Sequence, residues 1–132
     1  MDVNFEKVRD YLLELGLQIT FENEEDGVIV VENEESGIMN LVLGVADPIL
    51  VVEQYIFELT SNSSDAYKRL LQMSRDFIHG AFVLDETGTK VLFRNTHELE
   101  NLDLNELEAT INSLALLLSE RSRDILELSS AK

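Results

Sequence analysis

Two histidines and 26 acidic residues are the side chains of this 132-residue chain that could carry acid–base or metal chemistry, and no cysteine adds a thiolate. His79 and His97 titrate closest to neutrality when unperturbed. Neither stands at a motif spacing from a nucleophile. His79 is expected at the end of a helix, where the dipole favours a protonated imidazole and a capping role. His97 is expected in a polar link before the last helix. The six glycines are scattered over turns and helix ends, so no glycine-rich phosphate loop is present. No carboxylate pair is marked for acid–base work, and the chain is read as a non-enzyme without a cofactor.

The carboxylates are concentrated in a repeat. Glu22-Asn23-Glu24-Glu25-Asp26-Gly27 returns ten residues later as Glu32-Asn33-Glu34-Glu35-Ser36-Gly37, and the two copies hold seven of the 26 acidic residues. Each copy ends a short apolar run, the signature of tight turns in an antiparallel meander. A calcium loop aligned on Gly27 would place Glu22, Glu24 and Asp26 at its first ligand positions, but Asn33 then stands where a bidentate Glu is required. The second copy offers Leu43 there. No metal site is expected, and the clusters are read as solvated hairpin tips.

Ten basic against 26 acidic residues give a net charge of −16. Such a field repels phosphate backbones and anionic lipid heads, which argues against nucleic acid and membrane as partners. The start Met1-Asp2-Val3-Asn4 has neither the basic start nor the apolar stretch of a secretory signal. The longest contiguous apolar run, Leu114 to Leu118, is far too short to span a bilayer. A cytoplasmic protein with residues 1–132 in one domain is the expectation.

Residues 4–15 form a helix capped by Asn4, with Phe5, Val8, Leu12 and Leu15 in one stripe and Gly16 at its end. Strands follow at Gln18–Glu22, Val28–Glu32 and Ile38–Val45. Ile49–Leu59 is ambiguous, because Asp47-Pro48 opens helices well; its β-branched and aromatic content decides for a strand. Ser61–Ser64 offers caps for a helix over Asp65–His79, with Tyr67, Leu70, Leu71, Ser74, Phe77 and Ile78 on one face. Gly80 ends it. A hairpin pairs Ala81–Asp85 with Lys90–Arg94. The last helix, Asp103 to Leu128, opens on a capping box of Asp103 and Glu106 and would run about 39 Å.

This order (α-β-β-β-β-α-β-β-α) resembles the YbjN-like domains and the type III secretion chaperone-like fold that they share. The resemblance rests on Leu70-Leu71-Gln72-Met73-Ser74-Arg75, Gly80-Ala81-Phe82-Val83-Leu84-Asp85, Gly88 and Val91-Leu92-Phe93. It implies an α+β fold, a curved antiparallel sheet carrying three helices. It further implies a small, acidic, dimeric protein that binds extended segments of other proteins, with no catalytic residues to carry over. The strand at Ile49–Leu59 departs from the secretion branch and leans towards the YbjN-like side.

Two surfaces are candidates for a partner or a second copy. Leu114, Leu116 and Leu117 belong to a stretch that is apolar all round the helix, more than one face can bury. Val51, Tyr55, Phe57 and Leu59 are expected on one side of their strand; they accept an apolar segment if no helix covers them, and form core if one does. The function expected is a protein-binding module, chaperone-like or a regulatory adaptor, forming a homodimer. The alternative is a small-molecule sensor with an apolar pocket beneath the sheet.

Overall fold

The computed structural model describes residues 2–60 and 63–129. Helix α1 (Val3–Glu14) opens the chain, followed by strands β1 (Gln18–Asn23), β2 (Val28–Asn33), β3 (Ile38–Ala46) and β4 (Ile49–Glu58). Helix α2 (Ser64–Ser74), strands β5 (Ala81–Leu84) and β6 (Lys90–Glu98), and helices α3 (Leu104–Glu120) and α4 (Ser122–Ser129) complete it. The six strands form one antiparallel sheet in the order β1-β2-β3-β4-β6-β5. The α+β architecture agrees with the expectation, with four helices in place of three.

Alternation within the strands sets the layers. Side chains of successive residues leave a strand on opposite faces. Ile29 and Val31 of β2, Leu41, Leu43 and Val45 of β3, Leu50 and Val52 of β4, and Val91 and Phe93 of β6 are buried. They form one core with Phe5, Val8 and Leu12 of α1, Leu70 and Met73 of α2, Leu107, Leu114 and Leu117 of α3, and Leu128 of α4. The residues between them on these strands are exposed or half-buried.

Both acidic repeats are turns, built differently. In the first, Asn23 Oδ1 accepts the Asp26 amide at 3.1 Å and Gly27 donates to the Glu24 carbonyl at 3.1 Å. The second contains a 3-10 turn over Glu34–Ser36, closed by Gly37 at φ 81°. The β4 reading of Ile49 onwards is correct: the strand pairs with β3 on one side and with β6 on the other.

Other expectations are corrected by long-range contacts. Asp2, not Asn4, caps α1, its Oδ1 accepting the amides of Asn4 and Phe5; the Asn4 side chain donates instead to Asp47 at 3.0 Å. Of the polar break, Ser61 and Asn62 lie outside the described residues; Ser63 caps α2 through the Ala66 amide at 3.2 Å. That helix stops at Ser74, whose Oγ accepts the Phe82 amide at 3.0 Å and so ties the helix end to β5. His79 therefore lies beyond the helix, in the link to β5. Its buried face is Ala66, Leu70 and Met73, while Leu71 and Ile78 point to solvent. Long β4 draws β6 out to Glu98, so His97 is in a strand, not in a link.

The last helix breaks at Arg121. A straight rod of that length would leave its second half without a core to cover. Instead the Arg121 guanidinium pairs with Asp76, and Arg69 of α2 reaches Asp124 at 2.7 Å and Glu127 at 2.5 Å, seating α4 with Leu128 buried. Thr60 holds the Leu128 carbonyl with its amide and its hydroxyl, each at 3.3 Å.

Gly80 is a position where only glycine fits: φ is +80°, and an added Cβ would lie 2.5 Å from the Phe93 ring. Gly80→Ala is expected to cost about 2–4 kcal/mol, from left-handed backbone strain plus displacement of a buried ring. Urea unfolding reads this directly, and a loss below about 0.5 kcal/mol, the size of an ordinary surface substitution, would contradict the packing.

Candidate functional site

The helices leave one face of the sheet open. The outward residues come to lie in cross-strand rows because antiparallel partners share a face. One row runs Phe21, Val30, Val42, Glu53, Arg94 and Ala81 from β1 to β5. The next runs Val28, Gly44, Val51 and Thr96. Phe21 is 54% exposed, Tyr55 51% and Val42 38%, large fractions for apolar side chains in a sheet. Gly44 at the centre has no side chain, and a Cβ there would meet nothing closer than the Val51 carbonyl oxygen at 4.0 Å. The result is a shallow apolar trough walled by Val28, Val42 and Val51.

A bulge limits that face. Between β4 and β6 the register slips, with Tyr55 opposite Leu92 and Phe57 opposite Val91, so Ile56 is an extra residue. A one-residue insertion reverses which face the rest of the strand presents. Val51, Glu53 and Tyr55 look outward; Phe57 and Leu59 turn into the core and are buried. The expectation that Tyr55 and Phe57 share a side is thus corrected. Beyond the trough, Tyr55 joins Leu92 and Val83 in a second apolar cluster. Arg94 Nη1 and Glu53 Oε2, 3.3 Å apart, separate the two.

The last-helix candidates divide as well. Leu114 and Leu117 are fully buried against the sheet, and only Leu116, 52% exposed, is open to solvent. It borders an open groove of about 290 Å³ between α3 and the link after α2, across from Ile78, which is 85% exposed. Hydrogen bonds between Ser113 Oγ and the His79 backbone close the groove floor. The residues that sequence reasoning missed are Phe21, Val28, Val30 and Val42. Their signal was alternation in β1 to β3, whose outward members were not followed across the sheet.

His97 lies on the helix side of β6, and its Nε2 is 2.7 Å from the hydroxyl of fully buried Thr110 on α3. Asn95 Nδ2 donates to the same hydroxyl at 2.8 Å and stands 3.3 Å from Nε2. A neutral imidazole accepting from Thr110 satisfies this triad. Burial depresses the His97 pKa, opposed by the nearby Glu106 charge and reinforced by His79. At the β5–β6 turn, Asp85 is held below the usual carboxylate range, chiefly by the Thr87 hydroxyl and then by the amides of Lys90, Thr89 and Gly88. Among the described residues no three His, Asp or Glu side chains gather as a metal site, and no helix is long and apolar enough to cross a membrane.

A six-stranded antiparallel sheet with helices on one face is the architecture of the type III secretion chaperone fold. The CesT_Tir_1 family model, that of a type III secretion chaperone family, matches residues 1–131, and the chain belongs to this family. Solved structures with the same fold include YbjN from E. coli, at TM-score 0.67 and 12% identity over 90% of this chain and 91% of that one. The Yersinia pestis type III secretion chaperone SycH, solved with a stable fragment of YscM2, gives TM-score 0.60 and 19% identity over 96% and 100%. The HopA1–SchA chaperone–effector complex gives 0.62 and 14% over 91% and 96%. Comparison with curated proteins finds no match.

Because the folded His97 pKa is lowered below the ordinary 6.5, protonation favours the unfolded chain. Its contribution is complete above about pH 6.5 and is lost as pH falls through the folded value. Unfolding free energy measured between pH 7.5 and 5.5 is expected to fall more steeply in the wild type than in His97→Gln. Equal slopes would contradict the half-buried neutral imidazole.

Proposed function

We propose that the protein is a non-enzymatic protein-binding module, chaperone-like or a regulatory adaptor, which docks an apolar or extended segment of a partner on the open face of its sheet. The observation that carries this reading is the exposure of Phe21 and Val42 beside the Gly44 trough and of Tyr55 in the apolar cluster beyond it. Membership of a chaperone family supports it, as do structural neighbours that were solved with protein partners. Val51 and Tyr55 then serve as contact residues, whereas Phe57, Leu114 and Leu117 support the surface from within. The reading takes residues 1–132 as one cytoplasmic domain. A sensor finds less support: Leu50, Phe93 and Leu114 fill the space beneath the sheet with no exposure.

The test is a tagged pull-down from native extract at moderate salt, comparing wild type with Val42→Glu/Tyr55→Glu. Both positions face solvent, so the variant is expected to keep its fold. Loss of the bound partner with unchanged thermal unfolding is the expected result. Retention of the same partner would sink the assignment of this face.

A homodimer belongs to the same proposal. Two exposed apolar positions away from the sheet face could seat a second copy: Leu116 with Ile78 across its groove, and Leu71, 73% exposed on α2 beside the edge strand β5. Sedimentation is expected to show a dimer, reduced to a folded monomer by either Leu116→Glu or Leu71→Glu. A monomeric wild type at tens of micromolar would contradict dimerisation.

A further inference from the structure

We infer that the segment docked on the open face is a basic amphipathic one, with Lys or Arg side chains placed around an apolar centre. The inference rests on the docking reading above and adds the partner's chemistry.

The argument is the distribution of charge around the trough. Outward positions of the sheet carry four carboxylates, Glu32, Glu53, Glu58 and Glu98, and two cations, Arg94 and Lys90. Arg94 pairs with Glu53 at 3.3 Å; Lys90 is the cross-strand register partner of Glu58, and the two form no ion pair among the described residues. Glu32 and Glu98 have no ion pair among the described residues. They border opposite ends of the apolar trough: Glu32 follows Val30 on β2, and Glu98 lies across from Ile49, next outward to Val51 on β4. Glu53 forms a third border, beside Val42. Its carboxylate is held by only one guanidinium nitrogen and can accept a second donor. The first acidic turn, Glu24 to Asp26, flanks the end of the trough at Val28.

A face of this kind discriminates by sign. An apolar segment bearing carboxylates would face three uncompensated or shared carboxylates, within a molecule of net charge −16. A segment bearing cations would meet attraction both at the border and at long range, which raises the association rate and selects the register of docking. Beyond about 8 Å at physiological salt the general field is screened, so the border carboxylates decide affinity once contact is made.

The probe is a designed helical peptide with a leucine stripe flanked by lysines, with glutamine-for-lysine and glutamate-for-lysine counterparts. Each is titrated into the isotopically labelled full chain and followed by amide chemical shifts. The lysine peptide is expected to shift Val30, Val42, Gly44 and Val51 and to bind at least tenfold tighter than the glutamate peptide at low salt. Glu32→Gln/Glu53→Gln/Glu98→Gln, all at solvent-facing positions, is expected to bring its affinity down to that of the glutamine peptide while thermal unfolding stays unchanged.

Equal binding of the lysine and glutamine peptides on this face would overturn the charge preference and leave the docking reading standing. Failure of every peptide to shift the face would overturn the inference that a basic amphipathic segment is its occupant. Shifts confined to residues 24–26 and 34–35 would mark unspecific attraction to the acidic turns and overturn the inference. The same face shifting with protein concentration alone would assign it to a second copy, against the inference.

Discussion

A β-strand must send alternate side chains to opposite faces, and in this molecule helices cover only one of them. Everything of functional interest follows from that pairing of a strict alternation with a one-sided cover. The covered face takes Ile29, Leu43, Leu50, Val52 and Phe93 into a core with α1 and α3. The other face is left with Phe21, Val30, Val42, Val51 and Tyr55, which an ordinary solvated sheet would replace by polar residues. Apolar side chains kept on an uncovered face point to binding more than to stability. The bulge at Ile56 then divides the strand in two. Before it, β4 serves the open face with Val51 and Tyr55; after it, Phe57 and Leu59 serve the core beneath α4.

The cover itself is held by specific polar ties as well as by packing. Ser74 takes the Phe82 amide, Ser113 holds the His79 backbone, and Thr60 grips the Leu128 carbonyl. Arg69 bridges α2 to α4 through two carboxylates. Exposed ion pairs of this sort contribute little individually, so they orient α4 more than they stabilise it. The half-buried Asn95 and His97 of β6 meet the buried Thr110 hydroxyl of α3, a polar tie between the sheet and that helix. Each tie acts on the helix side and leaves the open face unaltered.

The succession of strands along the chain was readable because the acidic repeats and their glycines mark turns, and because β-branched content outweighed the Asp47-Pro48 helix signal; the pairing of β4 with β6 was not. The helix boundaries were less so. Ser74 ends α2 through a hydrogen bond to a residue eight positions on, a contact that no local pattern announces. Leu71 and Ile78 share helical spacing with Leu70 and Phe77, yet Ile78 lies past the helix and Leu71 on its outer side. The bulge was invisible for a related reason. Val51, Tyr55, Phe57 and Leu59 share one parity in the sequence, and only pairing with β6 reveals the extra residue. Of the site residues read from the sequence, Val51, Tyr55 and Leu116 reach the surface, whereas Phe57, Leu114 and Leu117 are taken up by the core.

The central claim is that partners engage the uncovered face of the sheet. Site-specific photo-crosslinking addresses it most directly, with a benzophenone side chain placed at Tyr55, at Val42 and, on α4, at exposed Leu126. The account predicts a strong adduct to a partner protein from Tyr55 and Val42 and little from Leu126. Adducts formed from Leu126 but absent at Tyr55 and Val42 would contradict it.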